Sequence, residues 1–505
     1  MESRLGPDRV SASFSQCVRC CSSVLAVAAS LAVGLLAGCG AAGTMQSKQN
    51  QNQTPETGND TSLTLLATST ANDRLSAFNV QISGITLTNA AGKTVSLISA
   101  PVSPEFIHLN GIEEPLVTVN VPQDVYTSAT VTVSSAYFVC TDYQPSRGLQ
   151  SSTFQDGQVA AKNVTTILPS AITVAGDSMG LTLDMLVTPS ASFSSCQGGG
   201  SASFSITPTF ALEATSAAPD GTSLRATGLH GLIGSLNSTD ASLTVAGADG
   251  PKQFGPSWRV RTDGDTVFQG VSGLGQLTAG MPVDMDVAIQ QDGSLMASRI
   301  AVYDTDTANL NVFIGPMNTV VASPTQLSVI SQEQQGYLDK TSYYLGALPG
   351  NLGDAEYQIS GALTNRESLP FAARFETGNM VAGQTVSMTS HAASFSSGSL
   401  PVATVTLMPQ TINGTISAIS SEGGFTTYTV TLAPYDLFPN LAYQPDQATL
   451  LTNPNTIVVY ADRHTQGRNA AVLAAGGIFR FNGLVFNDAG TLRMDCAQIN
   501  DGVAE

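Results

Sequence analysis

The chain has 505 residues, of which 42% are hydrophobic and 11% charged, and its formal net charge is −18 at pH 7. This length exceeds what one hydrophobic core supports and predicts about three to four domains. Nucleic-acid binding requires a basic face, so the acidic composition excludes a nucleic-acid partner. Abundant Thr, Ser, Val and Gly, with many alternating apolar runs and no helical period, predict an all-β protein.

The N-terminal segment has the order of a secretory leader. Three arginines precede an apolar stretch over residues 24–36, which at about 13 residues is too short to span a bilayer. The leader ends in the sequence Leu-Ala-Gly-Cys at Leu36–Cys39, which resembles the lipobox of bacterial lipoproteins. The resemblance implies cleavage before Cys39 and attachment of a diacylglycerol to its thiol, and therefore a membrane partner.

The residues after Cys39 indicate a location and a tether. Gly40 stands where, by resemblance to the enterobacterial sorting rule, an Asp would retain a lipoprotein at the inner membrane, so the outer membrane is favoured. The following segment is rich in Gln, Asn, Thr and Gly and cannot bury enough apolar surface to fold. We expect a disordered tether at the surface of a membrane of the cell envelope.

The first folded module is predicted over residues 62–218 as an antiparallel β-sandwich. Alternating apolar residues around Gly84 predict a bulged strand, and further short apolar runs are separated by turn residues. Leu75–Ile85 and Pro122–Tyr126 resemble the bacterial lipoprotein module called domain of unknown function 4382. Asp124 stands where that family usually has Gly. The resemblance implies a lipoprotein module and assigns no activity.

The cysteines beyond Cys39 fit an exported protein. Cys140 and Cys196 both fall in the first module, and a disulfide between them is predicted for an oxidising envelope. The alternative is a pair of buried free thiols. Cys496 lies in a strand-like run and is predicted to be a buried small hydrophobe.

The rest of the chain repeats internally. Leu277–Met285 is echoed by Met380–Met388, and the three copies begin with an apolar residue followed two positions later by Gly231, Gly315 or Gly414. The copies resemble the bacterial module called domain of unknown function 5666, and we expect each to be a small β-barrel, OB-like, or a sandwich. The predicted organisation is a signal peptide over 1–38, the lipidated Cys and tether over 39–61, the sandwich over 62–218, and barrel repeats over 228–305, 311–409 and 411–502.

Motifs for catalysis and metal binding are weak. Gly176–Gly180 fits G-x-S-x-G, but its strand-like flanks predict a turn, so Ser178 is not predicted to be catalytic. Asp304 and Asp306 suggest a calcium loop, but the central Gly and distal Glu of an EF-hand are missing, which favours a solvated linker. The histidines, His108, His230, His391 and His464, are scattered without paired spacing. We therefore predict no catalytic residue, no metal site and no cofactor.

One loop concentrates aromatic residues. Tyr435, Phe438 and Tyr443 form a possible binding loop, because exposed aromatic side chains commonly anchor partners. The alternative is a long loop that packs on its own barrel.

The sequence favours a non-catalytic, lipid-anchored envelope protein that binds a protein or a glycan or serves as a spacer. An envelope hydrolase of unrecognised type and a metal-dependent adhesin are the alternatives.

Overall fold

The computed structural model describes residues 60–144, 148–155, 162–196, 203–215, 224–247, 256–322, 325–336, 347–361, 368–393, 398–442, 450–468 and 472–504. Cys39, Tyr443, the predicted leader and the tether up to residue 59 lie outside these residues. Within the described part of the chain, no helix is long and apolar enough to cross a membrane.

The first part of the chain forms a ten-stranded sheet and a separate two-stranded pair. Its elements are β1 (Asp60–Thr70), β2 (Leu75–Asn89), β3 (Thr94–Ser96), β4 (Glu114–Pro122), β5 (Asp124–Gln144), β6 (Gly148–Gln155), β7 (Lys162–Ile167), β8 (Ile172–Val174), β9 (Ser178–Leu186), α1 (Val187–Ser190), β10 (Ala191–Phe193), β11 (Phe204–Ile206) and β12 (Phe210–Ala214). The order in the sheet is β3-β2-β5-β7-β12-β9-β1-β4, with β6 and β8 paired to β5, while β10 pairs with β11.

This sheet differs from the prediction in one respect. Strands β1 and β9 are parallel, as are β7 and β12, so the sheet is mixed rather than purely antiparallel. Parallel neighbours require a crossover connection, which places strands distant in sequence side by side and leaves no local signal. The predicted disulfide is confirmed: Cys140 on β5 is bonded to Cys196, with 5.6 Å between their Cα atoms. Cys496 is buried, as predicted.

Three successive sheets follow. The first contains β13 (Leu224–Asn237), β14 (Ser242–Gly247), β15 (Ser257–Arg261), β16 (Val267–Gln269), the 3-10 helix Leu274–Gln276, β17 (Pro282–Ile289) and β18 (Leu295–Val302). The second contains β19 (Asn311–Ala322), β20 (Thr325–Ile330), β21 (Glu333–Gly336), β22 (Ala347–Asn351), β23 (Glu356–Ile359), β24 (Thr385–Ser390), β25 (Leu400–Pro401) and β26 (Thr404–Leu407). The third contains β27 (Gln410–Glu422), β28 (Phe425–Thr431), α2 (Leu437–Ala442), β29 (Thr456–Ala461), β30 (Gln466–Arg468), β31 (Ile478–Asp488) and β32 (Thr491–Asp501).

The three sheets share one connectivity. In the first, the order β15-β14-β13-β17-β18 is closed by parallel pairing of β15 with β18. In the third, β29-β28-β27-β31-β32 is closed in the same way by β29 and β32. In the second, β22 pairs in parallel with β25, just before β26. Each is a small barrel of the predicted kind, and we name them barrels 1, 2 and 3.

The glycine that opens each copy has a steric reason. A Cβ atom at Gly231, Gly315 or Gly414 would lie under 3.0 Å from atoms of the second strand of the same barrel. These short barrels bring neighbouring backbones too close for any side chain at this point. The repeat seen in the sequence therefore marks a close crossing of the first two strands in each barrel.

The first sheet contacts all three barrels. Trp258 of barrel 1 donates from Nε1 to the Pro115 carbonyl over 2.6 Å. Gln332 of barrel 2 donates to the carbonyl of Ser76, and Arg480 of barrel 3 donates from Nη1 to the carbonyl of Ser69 over 2.9 Å. The described residues from Asp60 onward belong to one compact unit.

The structure corrects the predicted binding role of Phe438. Its ring lies in α2 and is fully buried, packed against Gly383 of barrel 2, where a Cβ would lie under 3.0 Å from the ring. A fully buried ring cannot contact a ligand at the surface, so the packed-loop alternative holds for Phe438. Tyr435 is half-buried beneath the guanidinium of Arg74, 5.0 Å from its ring centroid.

Two carboxyl groups meet where α2 contacts the first sheet. Leu437 N donates to the carbonyl of Asp73 over 2.7 Å, and Asp436 immediately precedes the helix. Burial raises the pKa of Asp436 to about 6, although the Ala433 amide and Arg74 favour its charge. Burial and the neighbouring Asp436 also raise the pKa of Asp73. Ionisation of Asp436 at neutral pH therefore opposes folding.

We expect Asp436→Asn to stabilise the protein at neutral pH. Between the ordinary pKa of 3.8 and about 6, the folded state binds the proton more tightly than the unfolded state, so wild-type stability falls as pH rises through this window. The asparagine variant avoids this loss, which is roughly 2–3 kcal/mol. Urea unfolding at pH 4 and pH 7 measures the difference. The exposed Asp265→Asn is the control, and an equal pH slope for Asp436→Asn and wild type would contradict the assignment.

Candidate ligand and metal site

A cavity of about 290 Å³ opens where a loop of the first sheet meets barrels 1 and 3. Its polar lining includes His108 from the loop; Arg225, His230 and Asp286 from barrel 1; and Asp462, His464, Gln466, Asn482 and Gln498 from barrel 3. Cavities with convergent polar groups at domain junctions are the usual places for ligands. This cavity is therefore the candidate site.

Two histidines that the sequence separates widely meet at the inner end of this cavity. The rings of His108 and His230 stand edge to face with centroids 5.3 Å apart. Glu333 of barrel 2 lies beside them, with Oε1 3.1 Å from Nε2 of His108. One ligand atom from each of the three side chains lies within 4.8 Å of the other two. We name this set the His–His–Glu cluster.

The cluster leaves buried polar atoms unpaired. His230 Nε2, Glu333 Oε2 and Asp284 Oδ1 have no hydrogen-bond partner among the described residues. All three residues are less than one-tenth exposed. An unsatisfied buried polar group costs about 1–3 kcal/mol, so a bound ligand that paired with these atoms would be favoured.

The ring of His230 has a fixed orientation. Its Nδ1 lies 2.9 Å from the carbonyl of Gly228. A carbonyl only accepts, so Nδ1 donates the hydrogen and Nε2 of the neutral ring bears the lone pair. This is how histidine is usually held at a metal site.

A buried ion pair lies beside the His–His–Glu cluster. Arg299 donates from Nη2 to Asp284 Oδ2 over 3.0 Å and from Nε to Asp286 over 2.7 Å. The hydroxyls of Tyr303 and Ser360 also donate to Asp284 Oδ2. Burial opposes the charge of Asp284, but Arg299 and the hydrogen bond from Tyr303 favour it, and the pKa of this carboxyl is lowered. Asp284 therefore stays ionised although it is buried.

Burial sets the protonation of the other groups. It lowers the pKa of His108 to about 4, against the opposing effect of Asp284, and lowers that of His230. It raises the pKa of Glu333. Both imidazoles are thus neutral at pH 7, the form that can bind a metal ion.

A buried carboxyl positions His108. Glu105 accepts hydrogen bonds from the backbone amides of Phe78 and Ile107 at Oε1 and from that of His108 at Oε2, over 2.5, 3.1 and 2.6 Å. The segment between β3 and β4 that carries His108 is thereby tied to β2. This loop has no regular strand that a sequence pattern could show.

Other residues singled out in the sequence lie apart from the cluster. Asp304 accepts from Thr389 Oγ1 over 2.9 Å and lies 3.0 Å from His391 Nε2, so it is engaged within the linker that it was predicted to form. Ser178 opens strand β9 after the short strand β8 rather than preceding a helix. Tyr443 lies outside the described residues.

Sequence reasoning missed the His–His–Glu cluster. Its three residues come from a loop, from β13 and from β21, so no spacing along the chain reveals them. The available signal was His108, an isolated histidine between the apolar residues Ile107 and Leu109. A histidine in such a position is more often a core residue than a ligand.

Comparison with known proteins identifies one region. Residues 230–301 match the family described as Domain of unknown function (DUF5666), which confirms the resemblance of the repeat region. The match begins at His230 and includes Asp284 and Arg299, whereas His108 and Glu333 fall outside it. No curated protein matches the chain.

We expect Glu105→Gln to destabilise the protein by about 1–3 kcal/mol. Gln has an NH₂ group in place of one carboxyl oxygen of Glu. This group would face either the backbone N–H groups of Phe78 and Ile107 or that of His108, and those donors would lose their acceptor. Thermal unfolding monitored by circular dichroism checks this, with the exposed Glu356→Gln as the control. An unchanged melting temperature for Glu105→Gln would show that the loop does not depend on this carboxyl.

Proposed function

We propose that this chain is a lipid-anchored protein of the cell envelope, on the outer rather than the inner membrane, that binds the end of a glycan chain without catalysis. The observation that carries the binding role is the cavity between the first sheet and barrels 1 and 3. Its volume, about 290 Å³, suits a small end group rather than a folded partner.

The lining matches hydroxyl groups. A hydroxyl both donates and accepts hydrogen bonds; the amide of Gln466 can do both, the amide oxygens of Asn482 and Gln498 can accept, and the carboxylates of Asp286 and Asp462 accept. A polyhydroxylated end group could therefore pair with several side chains at once. These groups favour a glycan over a protein partner.

The packing favours binding over a spacer role. Every barrel contacts the first sheet, and Leu484 and Phe486 of barrel 3 pack within the core of barrel 2. A spacer protein must span a long distance, and side-by-side packing of its domains shortens the distance that it spans. A binding site shared between domains needs this kind of fixed arrangement.

The anchor is the second part of the proposal. The Leu36–Cys39 motif, the short apolar stretch before it and the polar segment after it support a cleaved leader, a lipidated Cys39 and a tether. The resemblance of Leu75–Ile85 to domain of unknown function 4382 and the division into one sandwich and three repeats belong to the same proposal.

We expect Cys39→Ser to release the protein from the membrane fraction, because serine has no thiol to accept the diacylglycerol. Cell fractionation and incorporation of labelled palmitate measure the anchor. Cys21→Ser, within the leader but away from the motif, is the control and keeps both signals. Palmitate incorporation by Cys39→Ser equal to wild type would contradict lipidation at this residue.

We expect Ala497→Phe to weaken glycan binding at least tenfold, because Ala497 lines the cavity and a ring there would fill it. Soluble glycan fragments released from the native envelope serve as the probe, in saturation-transfer NMR and titration calorimetry. Thr426→Phe, exposed on β28 away from the cavity, is the matched control. If wild type binds no glycan fragment, or if Ala497→Phe binds it as tightly as wild type, the proposed role of the cavity is contradicted.

A further inference from the structure

The His–His–Glu cluster has the composition of a transition-metal site. It brings two imidazole nitrogens and one carboxylate oxygen within 4.8 Å of one another. Two histidines with one carboxylate are a ligand set of zinc and related divalent ions, whereas Ca²⁺ and Mg²⁺ prefer oxygen ligands alone. The donor set therefore selects a metal such as Zn²⁺.

The buried atoms of the cluster point to a ligand independently of its composition. His230 Nε2 has no hydrogen-bond partner among the described residues, although the residue is only 7% exposed and its ring is held by Gly228 through Nδ1. Glu333 Oε2 is unpaired in the same way. A lone pair with a fixed direction and no donor is what a metal ion would satisfy.

The charged side chains around the cluster also favour a cation as the ligand. Asp284, Asp286 and Glu333 supply three carboxylates around this point, and Arg299 supplies one guanidinium. Acidic side chains therefore outnumber basic ones around the cluster, an arrangement that favours a cation.

The site is reachable from solvent. His108 and His230 both line the 290 Å³ cavity, so an ion can enter through it, while Glu333 closes the cluster from barrel 2. The three ligands come from the first sheet, barrel 1 and barrel 2. A metal bound here would link three parts of the fold.

We propose that His108, His230 and Glu333 bind one Zn²⁺ ion at the inner end of the cavity and thereby link the first sheet to barrels 1 and 2. The proposal goes beyond glycan binding, and either can fail alone, because metal binding is measured without any glycan. It also differs from the adhesin alternative, which relied on Asp304 and Asp306.

The test uses the full chain with its lipid anchor in detergent, stripped with a chelator and titrated with ZnCl₂ by calorimetry. We expect one Zn²⁺ per chain and a melting temperature that rises with Zn²⁺ but not with Mg²⁺. Co²⁺ substitution should give the visible absorption of a cobalt ion with nitrogen ligands.

Variants separate ligands from neighbours. His230→Ala and Glu333→Gln should each weaken Zn²⁺ binding at least tenfold and remove the Zn²⁺-dependent rise in melting temperature. His391→Ala, which changes a histidine beside Asp304 that does not line the cavity, should bind Zn²⁺ as wild type does.

Gln has nearly the same shape as Glu, so we expect Glu333→Gln to fold. This variant therefore still tests the proposal if His230→Ala fails to fold. Wild type that binds no Zn²⁺, or Glu333→Gln that binds it as tightly as wild type, would overturn the proposal. In that case the hydrogen bond between His108 and Glu333 accounts for the cluster.

Discussion

The ion pair between Arg299 and Asp284 is the interaction on which the centre of the molecule depends. It is almost fully buried, and Asp284 also accepts hydrogen bonds from Tyr303 and from Ser360 of barrel 2. A buried charge is tolerated only when paired and hydrogen-bonded, so removal of either partner would leave an uncompensated charge in the core. The hydrogen bond from Ser360 to Asp284 links this pair to barrel 2.

The position of His230 follows from this constraint. On strand β13, His230 pairs in register with Asp284 on β17, so the strand pairing that aligns the ion pair also aligns the imidazole. The first sheet then adds His108 through a loop held by Glu105. The candidate site is thus a product of barrel 1 register and of a contact that barrel 1 makes with two other parts of the chain.

The signals that predicted the strands and the repeat lie between residues close together in the chain, whereas the surroundings of the predicted binding residue Phe438 come from a distant part of it. The alternation of Phe78, Val80 and Ile82 predicted a strand because every second side chain faces the same side, and all three are buried. The glycines Gly231 and Gly414 identified the repeat because the same steric crossing recurs in each barrel. Phe438 failed as a surface residue because its partner, Gly383, lies in a different barrel.

The sequence by itself determined the all-β class, the internal repeat and the acidic composition, and it predicted the pairing of Cys140 with Cys196, which the structure confirmed. These depend on local period, turn residues and counts of residue types. Only the tertiary structure decided the parallel pairing in the first sheet, the burial of α2 and the meeting of His108, His230 and Glu333. The physical reason is that these contacts join residues far apart in the chain, where burial and packing, rather than spacing, determine which side chains become neighbours.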